Sequence, residues 1–346
     1  MDKTNSPPKK RSRKHQRFQV NPLTIPTTLQ DSTSVAEETI LLDSSTAQPK
    51  LPADQKIEII PVDMILPDPW NPRHVLPDDI RRTFIAGDLD AEAGIRAWIK
   101  AGENDPMIAD QIQQLRMMGT SLCEQGQINP INVARHYRKD GTFIWRIESG
   151  ERRYWAKWLM IVDGLTEDRN IHAILRDTLD PTRQAAENLQ TESLSAVGEA
   201  RQISRLFLDL LEISPESKIA KGIEPGSDEY FQIALFPISD LLSGRKRLPY
   251  GFWNKLGDII GTTRQHLERK LQILKLPSDL LSLADQSRLS ERQLREILKR
   301  HAKDWGALIT LTTQHDLTGP ELSAIDKAND IKTAIQLIAN RQRIMV

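Results

Sequence analysis

The sequence predicts an α+β protein in which a small mixed α/β domain precedes an all-helical helix-turn-helix domain. Short strand-like runs alternate with helical patterns from Ile57 to about residue 180. After Pro181 the apolar residues recur almost entirely at helical spacing. The chain has 346 residues, enough for two domains of ordinary size with terminal extensions.

The predicted strands are short and are bounded by turn residues. A loop that contains three prolines, Pro67–Arg73, lies between the first strand and the first helix, because proline excludes helix there. The polar turn Arg138–Gly141 joins the two middle strands. The four predicted strands are Ile57–Ile60, Ile128–Val133, Phe143–Ile147 and Ile171–Leu175.

Helical patterns occupy most of the remaining chain. Residues 78–125 have helical spacing and stop at Gly126, and another helix begins at Ser149. Proline and glycine between Ile213 and Pro237 predict a loop or an insertion. The other helical stretches are 182–211, 250–300 and one or two helices in the tail, divided at Gly319-Pro320.

These patterns divide the chain into four parts. Residues 1–55 are predicted to form a disordered basic arm. The first 17 residues contain seven Lys/Arg and one acidic residue, Asp2. The arm is either a solubilising tail or a segment that contacts DNA or a partner protein. The mixed domain spans 56–180 and the helical domain 181–300. A helical tail, with dimerisation as one role, spans 301–346.

Composition excludes several classes of protein. The chain is 39% apolar and contains no run of about 18 apolar residues, so no membrane span is expected. The polar start of the chain is unlike a secretory signal. A single cysteine, Cys123, suits the reducing cytoplasm, and its helical position predicts a small buried hydrophobic residue. Trp145, Trp155 and Trp158 are expected in the core.

A helix-turn-helix is predicted at residues 252–276. Phe252, Leu256 and Ile259-Ile260 give one short apolar face, and Gly261 provides the turn. Thr262 and Thr263 are expected to cap the second helix through a side-chain oxygen. Leu267, Leu271 and Leu274 form its inward stripe. The residues expected to face DNA are Thr262, Thr263, Arg264, Gln265, His266 and Arg269.

The charge of this region favours a nucleic-acid partner over ordinary helix packing. Residues 245–300 hold 13 Lys/Arg and six Asp/Glu, a net of +7, although the whole chain has 47 of each sign. Phosphate contacts supply much of the affinity for DNA, so a local excess matters more than the total. Arg264 and Gln265 stand early in the second helix, where side chains of these types can read guanine and adenine.

A second motif, Gly150-Glu151-Arg152-Arg153, lies between a predicted strand and a predicted helix. A helix N-terminus offers unpaired N–H groups, glycine permits close approach, and paired arginines add charged donors. The motif is therefore a plausible triphosphate site, with an arginine pair in surface salt bridges as the alternative. Downstream, Glu187 and Asn188 supply oxygen atoms of the kind that bind Mg²⁺.

In order along the chain, these segments resemble the ParB family over residues 57–300. Tyr154, Ala156, Leu194, Ser195 and Leu289-Ser290 extend the likeness beyond its main motifs. Those motifs are Pro69–Arg73, Gly126–Ile131, Gly150–Arg153, Glu187–Gln190 and Gly261–Pro277.

The resemblance implies a sulfiredoxin-like nucleotide-binding domain and a DNA-binding dimer acting in plasmid or chromosome partitioning. ParB-like proteins bind a palindromic centromere-like site in double-stranded DNA, close as a CTP- and Mg²⁺-dependent clamp, and hydrolyse CTP slowly. A ParA-type ATPase is the usual partner, and the cytoplasm the usual location. By position, Gly150, Glu151, Arg152 and Arg153 would hold the triphosphate, with Arg73 and Asn129 lining the site. Glu187 and Asn188 would serve the metal and its water.

Several positions depart from the family pattern. Thr191 stands where arginine is usual, Asn129 replaces a glutamine, and extra residues lie around 83–106 and 213–237. These changes leave hydrolysis of CTP open, and with it a second reading: a ParB-like transcriptional repressor with a degenerate nucleotide site. A sulfiredoxin-like enzyme is a further alternative, but that class has a cysteine where this chain has Glu151.

Overall fold

Five short strands form one mixed sheet in the first half of the chain. A computed structural model describes residues 56–138, 140–190 and 193–325. The strand order is β1-β5-β3-β4-β2; β3 pairs in parallel with β5, and β2 with β4, while the other neighbours are antiparallel. The strands are β1 Ile57–Pro61, β2 Ile65–Leu66, β3 Ile131–Tyr137, β4 Phe143–Ser149 and β5 Asn170–Arg176.

Four predicted strands are present, but the second begins later than expected. β3 starts at Ile131 rather than Ile128, directly after Pro130. Proline has no N–H for a ladder and restricts the preceding residue, so strand pairing starts beyond it. Ile128 is instead 77% exposed. β2 was not predicted, because two residues carry no periodic signal.

The helical stretch predicted at 78–125 is three helices, α1 Asp78–Ala86, α2 Ala91–Gly102 and α3 Pro106–Gln125. Gly87 ends α1 in the left-handed region, with φ +87°. The side chains of Asp90 and Asp105 cap the next two helices by accepting backbone N–H groups. α3 ends at Gly126 as expected. The fourth helix of this half, α4 Glu151–Val162, follows β4 directly.

These helices pack on the sheet around an aromatic core. Trp145, Trp155 and Trp158 are buried, as predicted, and so is Trp98 of α2. Gly119 allows α3 to approach α4, because a Cβ there would lie 2.9 Å from the carbonyl oxygen of Ala156. Cys123 corrects a prediction: it lies on the solvent side of α3 and is exposed.

The second half of the chain is helical, and the stretch predicted at 182–211 is divided in two. Its two helices are separated before Ser195, whose hydroxyl caps the second by accepting from Gly198 N at 2.9 Å. Short helical segments fill part of the loop predicted at 213–237. The helices are α5 Pro181–Gln190, α6 Ala196–Leu210, α7 Glu229–Gln232, α8 Ile238–Leu241, α9 Phe252–Ile260, α10 Arg264–Leu271, α11 Ser278–Gln286, α12 Glu291–Leu298, α13 Trp305–His315 and α14 Gly319–Ile325, with 3₁₀ segments Val62–Met64, Ile233–Leu235, Gln272–Lys275 and Ala302–Asp304.

Buried charge joins the two halves. Arg201 of α6 is fully buried and pairs with Asp228 and Asp285. Arg205, one turn later, donates to the carboxylate of Asp68 and to the carbonyl of Trp70. Because an unpaired buried charge is costly, the two contacts of Arg205 hold the loop before α1 firmly against α6.

The predicted fold class is confirmed: a small mixed α/β part precedes an all-helical part. No helix among the described residues has the length and apolar character needed to span a bilayer. The basic N-terminal arm, Lys139, Thr191 and residues 326–346 of the tail lie outside the described residues. The domain boundaries and the dimerisation role of the tail therefore stay predictions.

Candidate functional site

A cavity of about 160 Å³ opens at the beginning of α4. It brings together four stretches that are far apart in the chain: the loop before α1, α3, the β4–α4 junction and α5. Its lining residues are Asn71, Arg73, Met118, Glu148, Ser149, Gly150, Glu151, Arg152, Arg153, Glu187 and Asn188. We call this the Gly150 cavity.

Gly150 is required by the backbone at this point. Its φ is +90°, which L side chains rarely adopt, and a Cβ would lie 2.7 Å from Cγ2 of Ile131. The residue is the N-cap of α4, and no side chain caps the helix. Hence the first N–H groups of α4 are available to an anion that enters the cavity.

Three arginines give the cavity its positive charge. Burial lowers the pKa of Arg73, of Arg152 and of Arg153 from the usual value. For Arg152 the neighbouring charges of Arg73, Arg288 and Arg153 lower the pKa further. Arg153 donates from its guanidinium to the carbonyl of Pro130 at 3.3 Å, which orients it across the start of α4. Clustered, half-buried cations of this kind are stabilised by a bound anion.

α5 is held over the cavity by Glu148, whose side chain is only 2% exposed. The Glu148 carboxylate accepts two hydrogen bonds from Arg183, at 2.9 and 2.8 Å, and one from Asp180 N at 2.7 Å. Its backbone carbonyl accepts from Gln184 Nε2 at 2.9 Å. These bonds tie the first turn of α5 to the end of β4 and thereby place Glu187 and Asn188 at the cavity.

Glu187 and Asn188 of α5 both line the cavity. Burial raises the pKa of Glu187, while the charges of Arg153 and Arg73 oppose that shift. Asn188 donates a hydrogen bond from Nδ2 to Oε1 of Gln202 at 2.8 Å, which fixes the orientation of the Asn188 side-chain amide. This bond does not involve Oδ1. Among the described residues no group of three or more His, Cys, Asp or Glu side chains is placed to hold a metal alone.

The carboxylate of Glu151 is bonded within the protein, so its place on the triphosphate, which stays a prediction, would use its backbone N–H group. The carboxylate is buried and accepts from Asn71 Nδ2 at 2.5 Å and from Trp155 Nε1 at 2.9 Å. Burial raises its pKa to about 7, and the hydrogen bonds from Trp155 and Asn71 oppose the shift. Glu151 thus supports the loop that carries Arg73.

Asn129 is exposed and is not part of the cavity lining. Its carbonyl oxygen accepts from Gln127 Nε2 at 3.1 Å. Asn71 and Ser149 line the cavity and were not predicted to do so. Asn71 lies inside the motif Pro69–Arg73, and Ser149 directly precedes Gly150, so both could have been found from the motifs themselves.

The region predicted as a helix-turn-helix consists of α9, a turn at Gly261 and α10. Gly261 has φ +73°, and Thr262 N donates to the carbonyl of Gly257 at 3.0 Å. A Cβ on Gly257 would lie 2.7 Å from the Thr262 carbonyl oxygen, so the tight turn depends on this second glycine, which was not predicted. Leu267, Leu271 and Leu274 are buried, which confirms the inward stripe.

The start of α10 lacks the side-chain cap that the sequence predicted. Thr263 is the N-cap of α10, but its side chain makes no capping hydrogen bond. Thr262 instead interacts with His266, with 3.3 Å between Oγ1 and Nδ1. The first turn therefore keeps backbone N–H groups for an external acceptor.

The outward face of α10 is polar and exposed. Gln265, His266 and Arg269 are exposed, and the side chain of Arg264 is 62% exposed. Arg264 lies 2.8 Å from Glu268 and stacks over the ring of Trp253, 5.2 Å from its centroid. We call the exposed residues from Thr262 to Arg269 the α10 face.

No family model matches this chain, and no curated protein matches it. Among solved structures, two of a C-terminally truncated chromosome-partitioning protein ParB from Caulobacter crescentus are similar at 16% identity. The one complexed with the centromeric parS site covers 78% of this chain and 97% of its own, with a TM-score of 0.30. The one complexed with CTP-gamma-S covers 73% and 99%, with a TM-score of 0.24. Likeness at this level carries no argument about function.

Proposed function

We propose that this protein is a ParB-like, sequence-specific DNA-binding protein that acts in partitioning and is regulated by CTP at the Gly150 cavity. The observation that carries the proposal is the convergence of Arg73, Arg152, Arg153, Glu187 and Asn188 around one helix N-terminus. The motifs that supply them resemble ParB motifs and occur in the same order along the chain.

The chemistry of the cavity suits a nucleoside triphosphate. The first N–H groups of α4 and the guanidinium groups of Arg152 and Arg153 would bind phosphate oxygens. Arg73 would close the opposite side. Gly150 has no Cβ, so phosphate can approach the backbone where any other residue would meet Ile131.

The oxygen atoms near the cavity fit a magnesium ion carried by the nucleotide. Glu187 and Asn188 supply two hard ligands, and Mg²⁺ is usually held by one or two such groups together with phosphates and water. The other two carboxylates of the lining, Glu148 and Glu151, are already hydrogen-bonded within the protein, which suits a metal that arrives with its nucleotide. When bound, the metal would neutralise phosphate charge; a slow CTPase activity at Glu187 and Asn188 is part of the proposal.

In this proposal, α5 couples nucleotide binding in the Gly150 cavity to DNA binding by the α10 face. This helix carries Glu187 and Asn188 and packs against α9, the first helix of the helix-turn-helix. Asn188 is hydrogen-bonded to Gln202 of α6. Lys270 of α10 forms an ion pair with Glu199 of α6, with 2.6 Å between Nζ and Oε2. A nucleotide that reorients α5 would therefore act on the elements that position the α10 face.

The α10 face is proposed to enter the major groove of a palindromic site, with two copies of the chain bound as a homodimer. Arg264, Gln265 and Arg269 would meet base edges or phosphates. A ParA-type ATPase would be the partner in segregation, and the protein would be nucleoid- or plasmid-associated in the cytoplasm.

The test is binding of radiolabelled CTP, with Mg²⁺, to the full chain. Arg152→Gln and Arg153→Gln should each weaken CTP binding at least about tenfold, since each removes a charge-assisted hydrogen bond. Arg96→Gln is the matched control, because Arg96 lies on the surface of α2 and pairs with Glu92, away from the cavity lining. ATP, GTP and UTP serve as competitors.

DNA binding is measured in parallel by selection from a random-sequence duplex pool, with and without CTP. A palindromic consensus whose occupancy changes with CTP supports the proposal. If DNA binding ignores CTP and Arg152→Gln behaves as wild type, the protein is a repressor with a degenerate nucleotide site. Failure to enrich any sequence would remove the DNA-binding role.

A further inference from the structure

A loop that carries three successive cations lies directly before α9, the first helix of the predicted helix-turn-helix. The loop spans residues 242–251, and we call it the basic loop. Arg245, Lys246 and Arg247 occupy its middle, and all three are exposed. They count toward the basic excess of residues 245–300, but the proposed function assigns DNA contacts to the α10 face alone.

Apolar residues on either side of the cations hold the basic loop in place. Leu242 and Leu248 are partly buried and pack against the core of the helical half. Between them the chain reverses at Ser243 and Gly244, whose φ values are +50° and +88°. Arg245 N closes this turn by donating to the carbonyl of Leu242 at 3.1 Å. The two anchors and the turn fix the path of the loop, so its charged side chains start from a defined position.

The charge of the basic loop is uncompensated among the described residues. Between Asp240 and Asp258 the chain has four basic residues and no acidic one. In the part of the chain that the structure describes, no ion pair involves Arg245, Lys246 or Arg247. Exposed charge of one sign creates a local positive potential, which attracts a polyanion.

A stacking contact places the end of the basic loop beside the α10 face. Trp253 stands in the first turn of α9, and the guanidinium group of Arg264 lies over its ring, 5.2 Å from the centroid. Arg264 is the first residue of α10 and part of the α10 face. Arg247 precedes Trp253 by six residues, a span of at most about 22 Å in a fully extended chain. The major groove is about 12 Å wide, so the basic loop lies within reach of DNA strands that border a groove occupied by the α10 face.

The side chains of the basic loop suit phosphate groups better than base edges. Arginine and lysine are the main donors to phosphate oxygens, and tyrosine is among the neutral ones. Tyr250, three residues after Arg247, is fully exposed. Residues 242–251 contain no Asn or Gln of the kind that pairs with adenine.

We propose that the basic loop binds the phosphate backbone of duplex DNA next to the segment whose major groove holds the α10 face. This rests on the proposed DNA-binding function and extends it from one helix face to the flanking duplex. The α10 face reads sequence, whereas the basic loop adds affinity that is independent of sequence, because phosphate groups are the same at every base pair. Each phosphate contact releases counterions, so the basic loop also makes DNA binding more sensitive to salt.

The test compares two triple variants of the full chain that lose the same charge. The loop variant replaces the three cations of the basic loop: Arg245→Gln, Lys246→Gln and Arg247→Gln. The control variant replaces three exposed cations of α1 and α2, in the mixed half of the chain: Arg82→Gln, Arg96→Gln and Lys100→Gln. Both variants lower the net charge by three, so a difference between them reflects the position of the charge and not the total.

Dissociation constants are measured by fluorescence anisotropy over a range of salt concentrations. One duplex carries the selected site with about ten base pairs, one helical turn, added on each side. The other has the same length and a random sequence. The loop variant should bind both duplexes at least about tenfold more weakly than the control variant does, and its slope of log affinity against log salt should be smaller by about 2–3.

Trimming the added flanks locates the contact. Without them, wild type and the control variant should lose affinity for the selected site, because the phosphates that the basic loop binds are removed. The loop variant should lose little, since it no longer binds those phosphates. The effects of trimming and of substitution are therefore expected to be non-additive.

Equal affinities of the two triple variants would overturn the role of the basic loop and leave the proposed function standing. Equal losses on trimming in wild type and in the loop variant would also overturn it, because the flanks would then be bound elsewhere. If wild type prefers no sequence but the loop variant still binds random duplex more weakly than the control variant, the basic loop is supported and the sequence-specific function fails. A wild type that binds neither duplex would overturn both.

Discussion

The Gly150 cavity and the α10 face place the same residue type, arginine, in opposite settings. At the cavity, Arg73, Arg152 and Arg153 are brought from separate stretches and have lowered pKa values because they are buried. On the α10 face, Arg264 stands in one continuous helix with its side chain 62% exposed. The cavity depends on a framework of buried bonds, whereas the face needs only the helix that carries it.

This difference predicts how each region responds to substitution. Residues that support the cavity should contribute to the free energy of unfolding, because their polar groups are buried and would be left unpaired. Residues of the α10 face should contribute to DNA binding and little to stability. The following substitutions test that separation, in order of the expected effect on stability.

Glu148→Ala should have the largest effect. The change leaves Arg183, Asp180 N and the end of β4 without the buried carboxylate that joins them. We expect a loss of about 3 kcal/mol in the free energy of unfolding by urea, because the charge-assisted bonds to half-exposed Arg183 are lost and Asp180 N is left without its acceptor. CTP binding should fall with it, since α5 would no longer be held. Stability within about 1 kcal/mol of wild type would show that the framework does not support the cavity.

Glu151→Gln should change the pH dependence of stability. The folded pKa of Glu151 is raised to about 7, above the unfolded value, so the folded state binds the extra proton. The contribution of Glu151 to the free energy of unfolding is therefore complete at pH values below its unfolded-state pKa. It is lost as the pH rises through the folded-state pKa of about 7. Relative to the glutamine variant, wild type should lose up to about 3 kcal/mol over this window. Parallel stability curves for the two proteins would contradict the buried state of this carboxyl.

Gly150→Ala should destabilise the protein by about 2 kcal/mol, because alanine disfavours positive φ and its Cβ would meet Ile131. Gly164→Ala is the matched control. The φ of Gly164 is +70°, and no atom lies within 4 Å of the added Cβ. The free energy lost in Gly164→Ala is therefore the cost of the backbone conformation alone. Thermal unfolding compares the two. Equal losses would show that the Gly150 turn is not sterically closed.

Arg264→Ala should have the smallest effect on stability, within about 0.5 kcal/mol, because its pair with Glu268 is exposed. DNA binding at the selected site should nevertheless weaken by about 1–3 kcal/mol, as measured by fluorescence anisotropy. Arg96→Ala provides the exposed control, also paired with an acid four residues away. Unchanged DNA affinity would exclude Arg264 from the interface.

The sequence predicted the α10 face more completely than the Gly150 cavity, and the reason is physical. The α10 face was predicted almost in full, since helical period and a glycine turn are local properties. The cap at Thr263 was wrong, because capping depends on a side-chain rotamer that composition does not determine. At the cavity, the motif order located the lining residues, yet the direction of Glu151 was missed. That direction follows from Asn71 and Trp155, which meet Glu151 only in the folded chain.

By itself, the sequence determined the fold class, the succession of a mixed half and a helical half, and the residue types available for binding an anion and DNA. Periodicity, proline and glycine act over a few residues, and their effects can be read along the chain. The tertiary structure decided which of the charged groups are buried and what they contact. It alone brought Arg73 to one cavity with Gly150 and Glu187, because burial and long-range pairing are properties of the packed molecule and not of any segment.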